Sequence, residues 1–174
     1  DDYAFPSVWN APDQVGKYEL WNTFTSGAII KSKKFYIIAD QFAVNAISSK
    51  TDQTYNRLSS GDDGFKLVKK IPGSDNFQDG AVEGTDFEVI DTLGDFQGDP
   101  GTGWSVAGVS NATKDHTLIR KPNVTKGNTD WNASRGTNMI DSEWYVKPLD
   151  TISHIKTHEF DGVVYKPEEE PDGD

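Results

Sequence analysis

The chain has 174 residues, enough for one domain with a hydrophobic core. Its 28 acidic against 17 basic side chains give a formal net charge of −11, which argues against nucleic-acid binding through phosphate neutralisation and against adsorption to an anionic membrane. Cysteine is absent, which excludes disulfides, thiol nucleophiles and zinc–thiolate sites and suits a cytoplasmic or a bacterial extracellular protein alike.

In chain order, Asp1-Asp2-Tyr3 carries no basic-then-apolar leader, so a signal segment is expected to have been removed or to lie upstream. Residues 18–21 read as a short strand. Residues 34–39 form an apolar run suited to a strand buried on both faces. Residues 40–47 predict one short helix, with Asp40 as its cap. The turn Gly61-Asp62-Asp63-Gly64 precedes an alternating strand over 65–68. Further strands are predicted over 87–93, 116–120 and 143–146. Dense punctuation by 16 Gly and 8 Pro, with no sustained helical periodicity, predicts an all-β sandwich or barrel. No apolar run is long enough to span a bilayer.

Aliphatic residues are scarce, so aromatic rings must supply much of the core. The expected anchors are Trp9, Trp21, Trp104, Trp131 and Trp144, with Phe35, Tyr36, Phe65, Phe87 and Phe96. After Gly162 the composition turns acidic and Pro-rich. Residues 1–162 are therefore read as the domain, and 163–174 as a solvated linker to further parts of a larger protein.

The chain lacks a nucleophile elbow, a phosphate-binding Gly-rich loop and a His-Glu-x-x-His motif. His154 and His158 are four apart, but Pro148 and the local β character speak against a shared helical face, and His116 stands alone. No catalytic residue is assigned. Oxygen-bearing side chains recur at Asp62 and Asp63, at Asp95 and Asp99, and at Asn128, Asp130 and Asn132. They read either as calcium ligands or as turn residues bonding their own backbone; calcium is the one cofactor considered. Trp9, Trp104 and Trp131 lie in Gly-, Pro- and Asn-rich stretches and read either as sugar-stacking rings or as plugs of a sandwich end. Asn111, Asn123 and Asn132 open N-glycosylation patterns, and Thr92 and Thr151 lie in Asp-Thr-Leu and Asp-Thr-Ile triplets that resemble an O-glycosylation pattern.

Several segments, taken in order, resemble one known family. They are Gly61-Asp62-Asp63-Gly64-Phe65-Lys66-Leu67, then Asp91-Thr92-Leu93-Gly94 with the Gly-Trp loop at Gly103-Trp104. Leu118-Ile119-Arg120-Lys121 follows, leading into Gly127-Asn128-Thr129-Asp130-Trp131, and Ser142-Glu143-Trp144-Tyr145-Val146 with Asp150-Thr151 through His154 to His158 closes the series. Over about residues 27–160 the chain resembles the bacterial branch of the lamin-tail domain family. The resemblance implies an immunoglobulin-like β-sandwich in a secreted or cell-surface protein. Members usually open with a further strand pair that is not identifiable before Tyr18. Either it is truncated or diverged, or another chain supplies it at an exposed sheet edge.

The expected function is a non-catalytic adhesion or scaffolding module, extracellular or at the cell surface. Its partners would be other protein chains or neighbouring domains and surface glycans, with self-association through strand exchange as one alternative. The other is an accessory domain of an extracellular hydrolase such as a nuclease.

Overall fold

Alternation of apolar and polar side chains sets the longest strands of the molecule. The computed structural model describes residues 2–58, 60–160 and 162–166 and is β-rich, with little helix. Strands β1 (Tyr3–Ala4) and β2 (Ser7–Val8) precede β3 (Ile38–Ala39), helix α1 (Asn45–Ser48) and β4 (Gln53–Thr54). Then come β5 (Gly64–Lys70), β6 (Phe87–Leu93), β7 (His116–Arg120), helix α2 (Trp131–Arg135) and β8 (Trp144–Pro148). A 3-10 turn (Ile152–His154) and the hairpin β9 (His158–Phe160)–β10 (Val163–Tyr165) follow.

β5 is the centre of the main sheet. β6 runs antiparallel along one edge, from Phe65↔Leu93 to Lys70↔Phe87. β1 and β2 share the other edge, through Tyr3↔Lys69 and Ser7↔Phe65. Residues 3–8 of the chain itself thus line that edge of β5. Single bridges at Ala4↔Thr23 and Ser7↔Leu20 add one more segment outside them. The strand predicted over 18–21 is reduced to the bridge at Leu20, because Tyr18 and Trp21 turn inward as core rings instead.

The two-residue period of an extended chain sends neighbours to opposite faces. Ala4 is fully buried with Val68, Ala81 and Phe87, against Tyr18, Trp21 and Phe77. Phe5 points the other way, its ring 5.1 Å from Phe24 and 5.4 Å from Tyr55. A second core holds Trp104, Val106, Ala112 and Trp131, packed by Leu93, Leu118, Trp144 and Val146. β7 and β8 pair antiparallel from His116↔Pro148 to Arg120↔Trp144. Leu118 and Trp144 of this pair bound a space of about 260 Å3 together with Phe65 and Leu93 of the main sheet.

Three elements differ from expectation for identifiable reasons. The run 34–39 pairs only at Ile38–Ala39, parallel to β4, and residues 34–38 are half-buried rather than buried on both faces. The helix predicted over 40–47 forms over Asn45–Ser48. The Asp40 carboxylate accepts from Phe42 N (2.8 Å), an Asx turn that competes with helix entry, and Phe42 and Val44 are exposed, so no apolar face holds the helix down. Trp9, expected in the core, is 60% exposed. At the C-terminal end, Val163–Tyr165 form β10, so pairing extends three residues past the expected domain boundary. The acidic run from Pro167 onward lies outside the described residues.

Carboxylates tie down two loops. Asp86 accepts from Ser74 Oγ (2.7 Å) and Val82 N (2.8 Å), and these bonds hold its pKa below the usual carboxylate value. Asp141 accepts from Thr137 Oγ1 (2.6 Å) and Asn138 N (2.9 Å), with the same effect. Burial raises the pKa of Tyr18, whose hydroxyl donates to the Ala81 carbonyl.

Candidate functional site

The largest charged cluster forms where the family-like segments meet. Arg120, at the end of β7, donates from Nη1 to Asp91 Oδ2 (2.6 Å) and from Nη2 to Asp91 Oδ1 (3.1 Å), a two-pronged pairing that suits a planar guanidinium. Nη2 also donates to Glu143 Oε2 (3.0 Å) and Ser134 Oγ (3.2 Å). Asn128 Nδ2 donates to Glu143 Oε1 (2.7 Å), and Trp144 Nε1 donates to Ser134 Oγ (2.9 Å). The guanidinium carbon lies 4.3 Å from the centre of the Trp144 ring.

This cluster is a tie between β6, β7, β8, α2 and the loop before α2. Both carboxylates already accept from several donors, and Ser134 Oγ bonds to Glu143, Arg120 and Trp144 at once. Both oxygens of Asp91 and both of Glu143 are engaged in these bonds. The backbone is matched as closely as the side chains: a Cβ at Gly127 would press on the Ile90 carbonyl oxygen and lie 2.7 Å from Asp91 Cβ. At Gly94, with φ +76°, a Cβ would meet the Trp104 ring at 2.7 Å.

The oxygen-rich positions serve their own turns. Asp95 Oδ1 accepts from Gln97 N, and Asp99 Oδ1 from Gly101 N (2.6 Å). Asn128 Oδ1 accepts from Asp130 N, Asp130 Oδ1 caps α2 through Ala133 N (3.1 Å), and Asn132 Oδ1 accepts from Arg135 Nε. Asp63 accepts from Asn10 N (2.9 Å), and Asp62 from Ser60 Oγ. Among the described residues no group of three or more His, Asp or Glu is placed to hold a metal ion.

Two of the three tryptophans read as sugar-stacking candidates are core residues. Trp104 is 7% and Trp131 3% exposed, and their rings meet edge to face at 6.2 Å, so neither offers a face to a sugar. Trp9 alone is exposed. Asn111, Asn123 and Asn132 are exposed, and Thr151 is half-buried, with its hydroxyl donating to the Pro148 carbonyl. Thr92 is buried in β6, so the folded chain does not offer its hydroxyl to a modifying enzyme.

His116 Nδ1 lies 2.7 Å from the Lys114 carbonyl oxygen. His154 and His158 line one open groove of about 460 Å3, between β7 and the 3-10 turn with the segment after it. Thr117, Leu118, Ile119, Thr157 and Phe35 are among the residues that line it. A second hollow of about 370 Å3 shares Phe35 and His158 with the first and continues past Lys33 and Lys34 to Phe160 and Tyr165. Among the described residues, no carboxylate lines either hollow. Asp52 Oδ2 accepts from Ile37 N (2.7 Å), and its Oδ1 lies 3.8 Å from Lys156 Nζ.

Sequence reasoning singled out His154 and His158 but missed Lys33, Lys34 and Arg120. A signal for the lysines was present: Lys31-Ser32-Lys33-Lys34-Phe35-Tyr36 is a basic run ending in aromatics within an acidic chain. No such signal marks Arg120, whose partners are 14 to 29 residues away. Comparison with family models, curated proteins and solved structures finds no match to this chain.

Proposed function

We propose that the chain is a non-catalytic recognition module of an extracellular or cell-surface protein, acting in adhesion or scaffolding. One observation carries this reading. The charged cluster is spent on joining strands, whereas two adjoining hollows are open and lined by rings, hydroxyls and cations. A surface of that kind suits contact with a partner; bond-making needs an acid and a base held in different environments around an enclosed substrate.

The proposed architecture is an immunoglobulin-like sandwich of the lamin-tail kind. Packing of Leu118 and Trp144 from one strand pair and Leu93 from the main sheet against the same buried cluster supports it. So does the convergence of the family-like segments on the Arg120 cluster, since four separate stretches of the resemblance supply all its members but Ser134. Fold likeness alone does not establish function.

The test is binding of the fluorescently labelled chain to intact bacterial cells, followed by chromatography of the bound material over time. Saturable binding with chemically unchanged material is the expected result. Progressive cleavage of that material, lost in a His154→Ala/His158→Ala variant, overturns the reading in favour of a hydrolase.

A further inference from the structure

We propose that the loop 136–141 is a membrane-docking tip: it seats Met139 and Ile140 at the acyl-chain boundary of a phospholipid bilayer while the cations beside it meet lipid phosphates. The loop lines neither of the two hollows, and the proposal stands apart from the recognition reading. Met139 is 69% and Ile140 92% exposed. An apolar side chain on a slack loop folds down onto its own surface; this loop holds both outward. Asp141 Oδ1 accepts from Thr137 N (2.8 Å) and Asn138 N (2.9 Å), and its Oδ2 from Thr137 Oγ1 (2.6 Å) and Asn138 Nδ2 (3.0 Å). Asn138 Oδ1 accepts in turn from Ile140 N (2.8 Å), and Lys121 Nζ donates to the carbonyls of Met139 (2.6 Å) and Ser142 (2.5 Å). Gly136, at φ +62°, lets the loop close, since a Cβ there would lie 2.5 Å from Asp141 Oδ1. The polar groups of the loop are spent on one another, and what faces outward is apolar.

Charge around the tip reverses that of the whole molecule. The neighbouring segments are tied to it: Ala107 N donates to the Arg135 carbonyl, Arg135 Nη1 to the Ser105 carbonyl, and a Cβ at Gly108 would lie 3.0 Å from the Thr137 carbonyl oxygen. Residues 105–112, 121–127 and 132–149 together carry Lys121, Lys126, Arg135 and Lys147 against Asp141 and Glu143. Glu143 is held by Arg120, and Asp141 is turned onto its own loop. Among the described residues, Lys121, Arg135 and Lys147 have no carboxylate partner. The net charge of −11 repels a densely anionic surface, so the molecule approaches lipid with this end foremost.

The mix of side chains points to lipid rather than to a protein pocket. Beside the tip stands Tyr145, 39% exposed, with Lys121 Nζ 5.6 Å and Lys147 Nζ 5.5 Å from its ring centre. Apolar tip, amphipathic ring and ammonium groups match the sequence met on entering a bilayer, where hydrocarbon, interface and phosphate differ in what they accept. A stable protein interface needs a wide, closely packed apolar centre, and here Val109, 38% exposed, is the apolar addition from the neighbouring loop. A small apolar anchor holds a membrane only marginally by itself, so a second, cationic signal is required, and the loop carries both.

The experiment is flotation of the full chain with phosphatidylcholine vesicles containing a minor fraction of phosphatidylglycerol. Binding is expected, weakened about tenfold or more by Ile140→Asp and about threefold by Lys147→Gln. Phe42→Asp, at a position 85% exposed elsewhere, should leave it unchanged. Because the chain has no cysteine, Ile140→Cys takes a single environment-sensitive label. Its emission should shift to the blue with vesicles and escape an aqueous quencher, whereas a label on Phe42→Cys stays in water. No flotation, equal flotation of Ile140→Asp and the parent, or a label at 140 that remains quenched overturns the proposal. Self-association of the parent without flotation, abolished by Ile140→Asp, also overturns it, in favour of a second copy as the partner. None of these outcomes bears on the two hollows, whose test is the cell-binding experiment above.

Discussion

The frame built from β5 to β8 and the layer built from residues 24–58 and 151–166 spend their side chains differently. In the frame, rings meet rings, as in Trp104–Trp131–Trp144, and charges meet charges around Arg120. In the layer, Ala39 is the one core residue among those described, and Ile29, Phe42 and Val44 are exposed. The layer meets the frame through Tyr55 and Phe65, and it is joined to the N-terminal segment by Phe24 and Tyr55 on Phe5 and by single polar links such as Gln53 Nε2 to the Thr23 carbonyl. Where side chains are consumed by packing, nothing remains for a partner. The groove lined by His154 and His158 lies where the layer meets β7 of the frame.

The largest test of this contrast is a matched pair of truncations. Trp131→Ala removes a buried ring from between two others and is expected to cost about 4 kcal/mol by urea unfolding. Phe42→Ala in the layer is expected to cost less than about 0.5 kcal/mol. Similar costs for the two would erase the distinction.

Next in size is Arg120→Ala. It leaves Asp91 and Glu143, both partly buried, without their shared cation, at an expected cost of about 3 kcal/mol. A loss below about 1 kcal/mol would reclassify the cluster as an ordinary surface ion pair.

The smallest effect concerns acid. The folded-state pKa of Asp86 lies below its ordinary value because Ser74 and Val82 donate to the ionised form. Its contribution is therefore fully present above the unfolded value, about 4, and is lost as pH falls through the lower folded value. Asp86→Asn should lower the thermal midpoint at neutral pH and flatten its decline below about pH 4. Parallel midpoint-versus-pH curves for parent and variant would remove Asp86 from the account.

Local alternation and turn chemistry made much of the frame legible before any coordinates. The strands over 87–93 and 116–120 were bounded to the residue, and Gly61-Asp62-Asp63-Gly64 correctly announced β5. Asp130 was read for its oxygen but not for its role, because Asn128, Asp130 and Asn132 present the same alternation whether they cap a helix or ligate an ion. The run 34–39 misled because apolar content says that a segment is fit to be buried, not that a partner strand exists to bury it.

The sequence by itself determined the β-rich character, the reliance on aromatic burial and the acidic surface, since each follows from composition and short-range period. Only the tertiary structure decided that Trp104 and Trp131 face inward while Trp9 faces out, that residues 3–8 line the edge of β5, and that Arg120 meets Asp91 and Glu143. It also decided that Lys33 and Tyr165, 132 positions apart, border one hollow. Such contacts join residues far apart along the chain, and neither propensity nor spacing carries information about which distant segment will arrive to fill a given face.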